Sequence, residues 1–154
     1  MSKIVIRLPL PYYKKKGNAL MTMNVFRNAH YRQQSAFKRT YGLLCKTALH
    51  EASITTTFDC VSLEYILHTL PTKGRPTKAD PYRDSSPKNI DLANLLSMVD
   101  KVFSDVVVSE GGLPDDTITH IQHISFKSDP WATEEGITVT LTEIKPQQDL
   151  RRSK

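Results

Sequence analysis

The 154-residue sequence predicts a single α+β domain, a mixed β-sheet of about four strands packed with two main helices. Three observations predict it. Short segments near both ends and at 61–69 alternate apolar and polar residues, the period of a half-buried strand. Two longer segments, 29–51 and 92–109, repeat apolar residues at helical spacing. The stretch between the second strand and the second helix is rich in proline and polar residues and supports no regular element.

The first strand is expected at 3–9, with Ile4, Ile6 and Leu8 on one face and Pro9 and Pro11 ending it. Lys14, Lys15 and Lys16, followed by Gly17 and Asn18, then read as an exposed basic loop or a plain solvated turn. In the helix at 29–51, Phe37, Tyr41, Leu44 and Ala48 make a core stripe. Arg32, Arg39 and Lys46 recur every seven residues on another line, with Lys38 near it. At about 3.6 residues per turn that line is nearly straight and suits a phosphate backbone, or simply water. The strand at 61–69 points Val61, Leu63, Tyr65 and Leu67 inward, and His68 on its polar face reads as structural.

Residues 70–90 form the longest irregular stretch. Lys73, Arg75, Lys78, Arg83 and Lys88 outnumber Asp80 and Asp84 there. A loop of this length in a compact domain is usually functional or disordered, and a flexible DNA-contacting arm is expected, with a plain mobile loop as the alternative. The helix at 92–109 buries Leu95, Val99, Val102, Phe103 and Val106, and Gly111 and Gly112 stop it. Strands are expected at 117–127 and 137–144, joined as a hairpin through a segment containing Trp131. The domain is bounded at 1–145, and 146–154 is a polar tail.

The totals narrow the function. Net charge is +5, from 21 Lys and Arg against 16 Asp and Glu. A basic balance in a small domain points first to a polyanion, most often nucleic acid. The two cysteines, Cys45 and Cys60, have no metal or redox spacing and are expected to be reduced thiols. The first residues contain no signal-peptide core, and no run approaches the ~18 apolar residues of a membrane span. A cytoplasmic protein with no membrane partner is therefore expected.

Inside this basic chain, Asp91, Asp115 and Asp116 draw attention. Hard oxygen ligands in clusters bind Mg²⁺, and Mg²⁺ on a scissile phosphate orients water and stabilises developing charge. A nuclease needs carboxylates set in a basic surface. The plainer roles are a helix N-cap for Asp91 and turn chemistry for Asp115 and Asp116. An ~18-residue helix spans about 27 Å, so the three converge only if the chain folds back along it. On the helical wheel Asn94, Lys101 and Asp105 share one polar stripe within about 20°, and Asp100 lies far round, near the apolar edge.

Residues 91–116 resemble the RusA-type Holliday junction resolvases. That family carries Asp-x-Asp-Asn at the start of a helix, then a Lys, an Asp four residues later, a Gly, and a closing Asp-Asp pair. This chain reads D-L-A-N at 91–94, then Lys101, Asp105, Gly111 and D-D at 115–116. The stretch from Asn94 to Lys101 is about four residues longer than in the family, close to one helical turn. In this it looks like phage-encoded members. The Leu-Pro ending of the first strand and the Asn24–His30 segment look similar too.

The resemblance implies an α+β homodimer that cleaves four-way junctions or other branched DNA with Mg²⁺. Asp91 and Asp116 would be catalytic metal ligands with Asp115 beside them, and Lys101 would stabilise charge on the phosphate or the leaving oxygen. Lys14, Lys15, Lys16, Arg32, Arg39, Lys46 and the basic residues of 73–88 would contact DNA. Ala93 stands where the family's second Asp belongs. Either another carboxylate replaces it, Asp105 being best placed on the wheel, or the scaffold is a catalytically silent DNA-binding protein. A basic interaction protein with no nucleic-acid role is the third reading.

Overall fold

The computed structural model describes residues 2–13, 19–53, 57–72, 78–79 and 86–145. Strand β1 is Lys3–Leu8, helix α1 Met23–Asn28, helix α2 Tyr31–Glu51, strand β2 Val61–His68, helix α3 Leu92–Ser109, strand β3 Ile121–Asp129 and strand β4 Gly136–Glu143. The strands form one mixed sheet in the order β1-β4-β2-β3. β1 and β2 both pair antiparallel with β4, whereas β2 and β3 pair parallel. A parallel pair needs a long crossover, and α3 supplies it.

One sheet face carries the helices. Val61, Leu63, Tyr65 and Leu67 of β2 and Ile137, Val139 and Leu141 of β4 are buried beneath them, together with Leu95, Val99, Val102 and Phe103 of α3. Tyr65 lies at the centre, edge-on to Phe103 (6.1 Å, 88°) and to Phe126 (5.7 Å, 70°). On the opposite face His68 bridges Asp129 Oδ2 and Thr138 Oγ1, each at 2.8 Å, and Arg7 Nη1 donates to Thr138 Oγ1 (3.0 Å). The structural role expected of His68 has these two partners.

Four expectations are corrected. The helix expected over 29–51 starts at Tyr31, because Ala29 and His30 are extended and His30 Nδ1 caps α2 by accepting the Arg32 N–H (3.2 Å). Leu44 is 44% exposed and Cys45 takes its place in the core. α2 packs against α3 through Gly42 and Val106, which turns the buried arc toward positions 45 and 49. β3 starts at Ile121 rather than 117. Asp115 Oδ1 captures both the backbone N–H (2.9 Å) and the hydroxyl (2.6 Å) of Thr117, a local side-chain bond that competes with the sheet ladder, and Ile118 is left 86% exposed.

Finally, β3 and β4 do not form a hairpin, because β2 lies between them. Their connection wraps the end of β2, with Thr69 donating to the Asp129 carbonyl (3.0 Å) and Ala132 to the Thr69 carbonyl (3.2 Å). At the end of α3, Gly111 has φ +80°. The Gly112 N–H returns to Val107 O and the Gly111 N–H to Val108 O, the paired bonds of a left-handed helix stop. That turn sends the chain back alongside α3 and delivers Asp115 and Asp116 to its flank.

Candidate metal centre and basic surface

α3 carries the chemistry. Asp91 is its N-cap, with Oδ1 accepting the Asn94 N–H (3.1 Å). Asn94 in turn accepts the Asn24 N–H on Oδ1 (2.9 Å), tying α1 to the start of α3. Fourteen helical positions separate Asp91 from Asp105, about 21 Å of axis at ~1.5 Å per residue.

Asp116 belongs to the Asp105 end. Its carboxylate neighbours that of Asp105, and its charge also acts on Asp100. Burial first, and then Asp116, push the Asp105 carboxyl above its ordinary pKa, against the opposing pull of Lys101 and Lys38. Asp100 is half-buried behind this pair. Its Oδ1 accepts from the Tyr65 hydroxyl (2.6 Å) and from Ser104 Oγ (3.0 Å). Burial is the largest influence on Asp100 and raises it, the two hydroxyls lower it, and Asp116 and Asp105 raise it again.

Within one chain, therefore, Asp91, Asp115 and Asp116 do not converge as expected. Asp91 stands at the far end of α3. Asp115 adjoins Asp116 in sequence, but one of its oxygens is committed to Thr117 and the other lies 3.9 Å from His120 Nε2. The Thr117 hydroxyl, then its backbone N–H, hold the Asp115 carboxyl below its ordinary pKa. The carboxylates brought together are Asp100, Asp105 and Asp116, with Lys101 and Lys38 beside them. On the helical wheel Asp100 lies off the polar stripe of Asn94, Lys101 and Asp105. Its signal in the sequence was a carboxylate on the edge of an apolar face, which has to find donors if it is buried.

Among the described residues no three His, Cys, Asp or Glu side chains are arranged to hold a metal on their own. Asp105 and Asp116 nevertheless fit a Mg²⁺ ion, which is usually held by one or two carboxylates and keeps several waters. Neighbouring carboxylates repel each other, and a divalent cation between them removes that penalty.

Of the basic residues, Arg32, Arg39 and Lys46 are exposed on α2. Arg32 lies over the Tyr31 ring (5.9 Å), Lys38 over Phe26 (5.5 Å), and Lys46 pairs with Glu110 (3.3 Å). Lys78 and Lys88 are exposed. Lys14, Lys15, Lys16, Lys73, Arg75 and Arg83 lie outside the described residues. Within the 70–90 stretch, Thr72 and Ser86 are joined by paired backbone bonds. No described helix is long and apolar enough to cross a membrane.

No protein-family model matches the chain, and no curated protein matches it.

The cap geometry separates two roles for Asp91. Asp91→Ala should cost about 1 kcal/mol of stability, and Asp91→Asn should recover most of it, since Asn caps as well as Asp. Urea titration of both variants checks this.

Proposed function

We propose that this chain is a Mg²⁺-dependent, structure-specific endodeoxyribonuclease acting on four-way junctions or other branched DNA, similar to the RusA-type resolvases and working as a homodimer in the cytoplasm. The observation that carries the reading is the neighbourhood of Asp105 and Asp116, with Asp100 close enough to feel both and Lys101 and Lys38 acting on Asp105, on a chain of net charge +5. Carboxylates gathered against their own repulsion in a basic protein are the expected counterpart of a metal and a phosphate.

Asp105 and Asp116 would hold the ion, which when bound supplies an activated water and polarises the phosphoryl oxygen. The Tyr65 and Ser104 hydroxyls fix the Asp100 carboxylate behind the pair. Lys101 is exposed, its charge reaches Asp105, and it offsets charge that grows on the phosphate or the leaving oxygen. Arg32 and Arg39 hold the DNA backbone along α2.

Incubating a labelled four-way junction with the protein in Mg²⁺ and in EDTA tests this directly. Cleavage only with Mg²⁺ is expected. Mg²⁺ should also raise the thermal midpoint of the wild type by binding the folded state alone. The silent DNA-binding reading is favoured by one specific observation: Ala93 lies beside an Asp91 already used as a cap, so the family's own pair is absent from the start of α3. Tight junction binding with no cleavage and no Mg²⁺ shift would establish it.

Binding should weaken steeply with salt, each neutralised phosphate adding about −0.9 to the log–log slope. Arg32→Ala with Arg39→Ala should flatten the slope by nearly two such steps, measured by fluorescence anisotropy in EDTA. An unchanged slope would remove α2 from the DNA interface.

A further inference from the structure

Three depressions adjoin one another around Tyr12 and Tyr13, two of them lined in part by α2 on its flank away from α3. The central one, about 310 Å³, is lined by Tyr12, Tyr13, Phe37 and Tyr41 with Gln33 and Thr40. It shares Tyr13, Met21 and Gln33 with a second, which adds Asn24 and Asn28. It shares Tyr12 with a third, which adds Thr69, Asn89 and Lys88. Among the described residues, no Asp or Glu lines any of the three. Glu135 comes close, but it meets Tyr12 at its hydroxyl (3.0 Å) and so anchors that ring.

Tyr12 and Tyr13 are the partly exposed rings of this groove, since Phe37 and Tyr41 are buried, and such rings beside amides and hydroxyls suit one ligand chemistry well. A nucleobase offers a π-face to stack and an edge of donors and acceptors to pair, on a strand that acidic walls would repel.

The helical wheel relates this groove to the rest of α2. At about 100° per residue, Gln33, Phe37, Thr40 and Leu44 fall within about 60° of one another. Arg32, Arg39 and Lys46 fall within about 40° of one another, between the groove and Lys38, whose charge reaches Asp105. A strand crossing this helix, ~10–12 Å wide with its side chains, leaves the groove, meets the basic stripe and arrives at the carboxylates.

We propose that the groove lined by Tyr12, Tyr13, Phe37, Tyr41, Gln33 and Thr40 takes an unpaired nucleobase from the DNA strand whose backbone lies on the α2 basic stripe. The inference rests on the DNA-binding half of the proposed function and not on cleavage. It names what distinguishes a branched substrate from a plain duplex, since bases at a branch can leave the stack.

The test uses duplexes with a short single-stranded gap, whose gap residues are 2-aminopurine in one set and abasic in the other. Binding is followed in EDTA at fixed salt, so that no metal takes part, with fully paired duplex as the reference. The 2-aminopurine emission should be quenched on binding, and the abasic gap should bind about tenfold more weakly, the order of one lost base–aromatic stack. Ala36→Trp, which places a large side chain in the groove wall, should erase that difference. Gln33→Ala with Thr40→Ala provides a second variant that leaves the core untouched and should narrow it.

Equal affinity of the wild type for the two gaps would overturn the proposal. So would base discrimination retained in Ala36→Trp alongside a changed sedimentation coefficient, which would show that a second copy of the chain occupies the groove. Base discrimination without Mg²⁺-dependent cleavage would leave this inference standing and remove the nuclease reading. Cleavage without base discrimination would do the reverse.

Discussion

Asp105→Asn is expected to slow Mg²⁺-dependent cleavage of a four-way junction by roughly a hundredfold or more, equivalent to about 3 kcal/mol of barrier. The substitution keeps the shape of the side chain and removes one charge from the Asp105–Asp116 pair that would hold the ion under the proposed function. The Mg²⁺-induced rise in thermal midpoint should disappear with it, while junction binding in EDTA stays within a few-fold, since repulsion of DNA by the pair is relieved. Lys101→Ala should lower the cleavage rate by a similar factor with little effect on binding. One cation among many adds little to ground-state affinity, but it acts fully on charge that develops only in the transition state. Ala93→Asp offers the sharpest contrast. It restores the family's spacing at the start of α3, some 18 Å of helix from Asp105 at ~1.5 Å per residue, so cleavage should not change. A large gain would move the catalytic centre to Asp91.

Phe103→Ala is the largest stability change expected, about 3–5 kcal/mol. The ring is fully buried and meets Tyr65 edge-on, so its removal loses transfer free energy and opens a cavity between α3 and the sheet. A domain of this size has only ~5–15 kcal/mol in total, so the urea midpoint should fall by a large fraction of its value. A loss under 1 kcal/mol would mean that α3 is not packed on β2 as described. Tyr65→Phe separates packing from polarity. It keeps the ring contacts with Phe103 and Phe126 but takes the hydroxyl from Asp100, and a half-buried carboxylate deprived of its shortest donor should cost about 1–3 kcal/mol.

Tyr65 and Asp100 also show where the centre's rigidity originates. The hydroxyl that steadies Asp100 comes from the middle of the central strand, a region held by pairing on both sides. Loosening this strand by mutation would reach the carboxylates without touching them.

Much of the architecture was determined by the sequence itself. The alternation at 61–67 and 137–141 placed those residues on the helix-covered face because a strand must send successive side chains to opposite sides. The apolar stripe at 95–103 put α3 on the sheet for the corresponding reason at helical period. Asp91 before an apolar run, and Gly111 after it, marked the ends of α3 through capping chemistry that is local in the chain. The basic surplus on α2 was legible as well, since charge at exposed positions needs no tertiary partner.

What depended on the tertiary structure involves residues distant in the chain. Whether 117–120 belonged to a strand was decided by Asp115, whose oxygen drew Thr117 out of the ladder. The place of β4 was decided by the one edge of β2 that β3 leaves open. Leu44 or Cys45 as the core residue depended on the side from which α3 approached. The carboxylate centre depended on the same packing. A helix separates Asp91 from Asp105 by its rigid rise, and only the return of the chain through the Gly111 turn selects which of them Asp116 will meet.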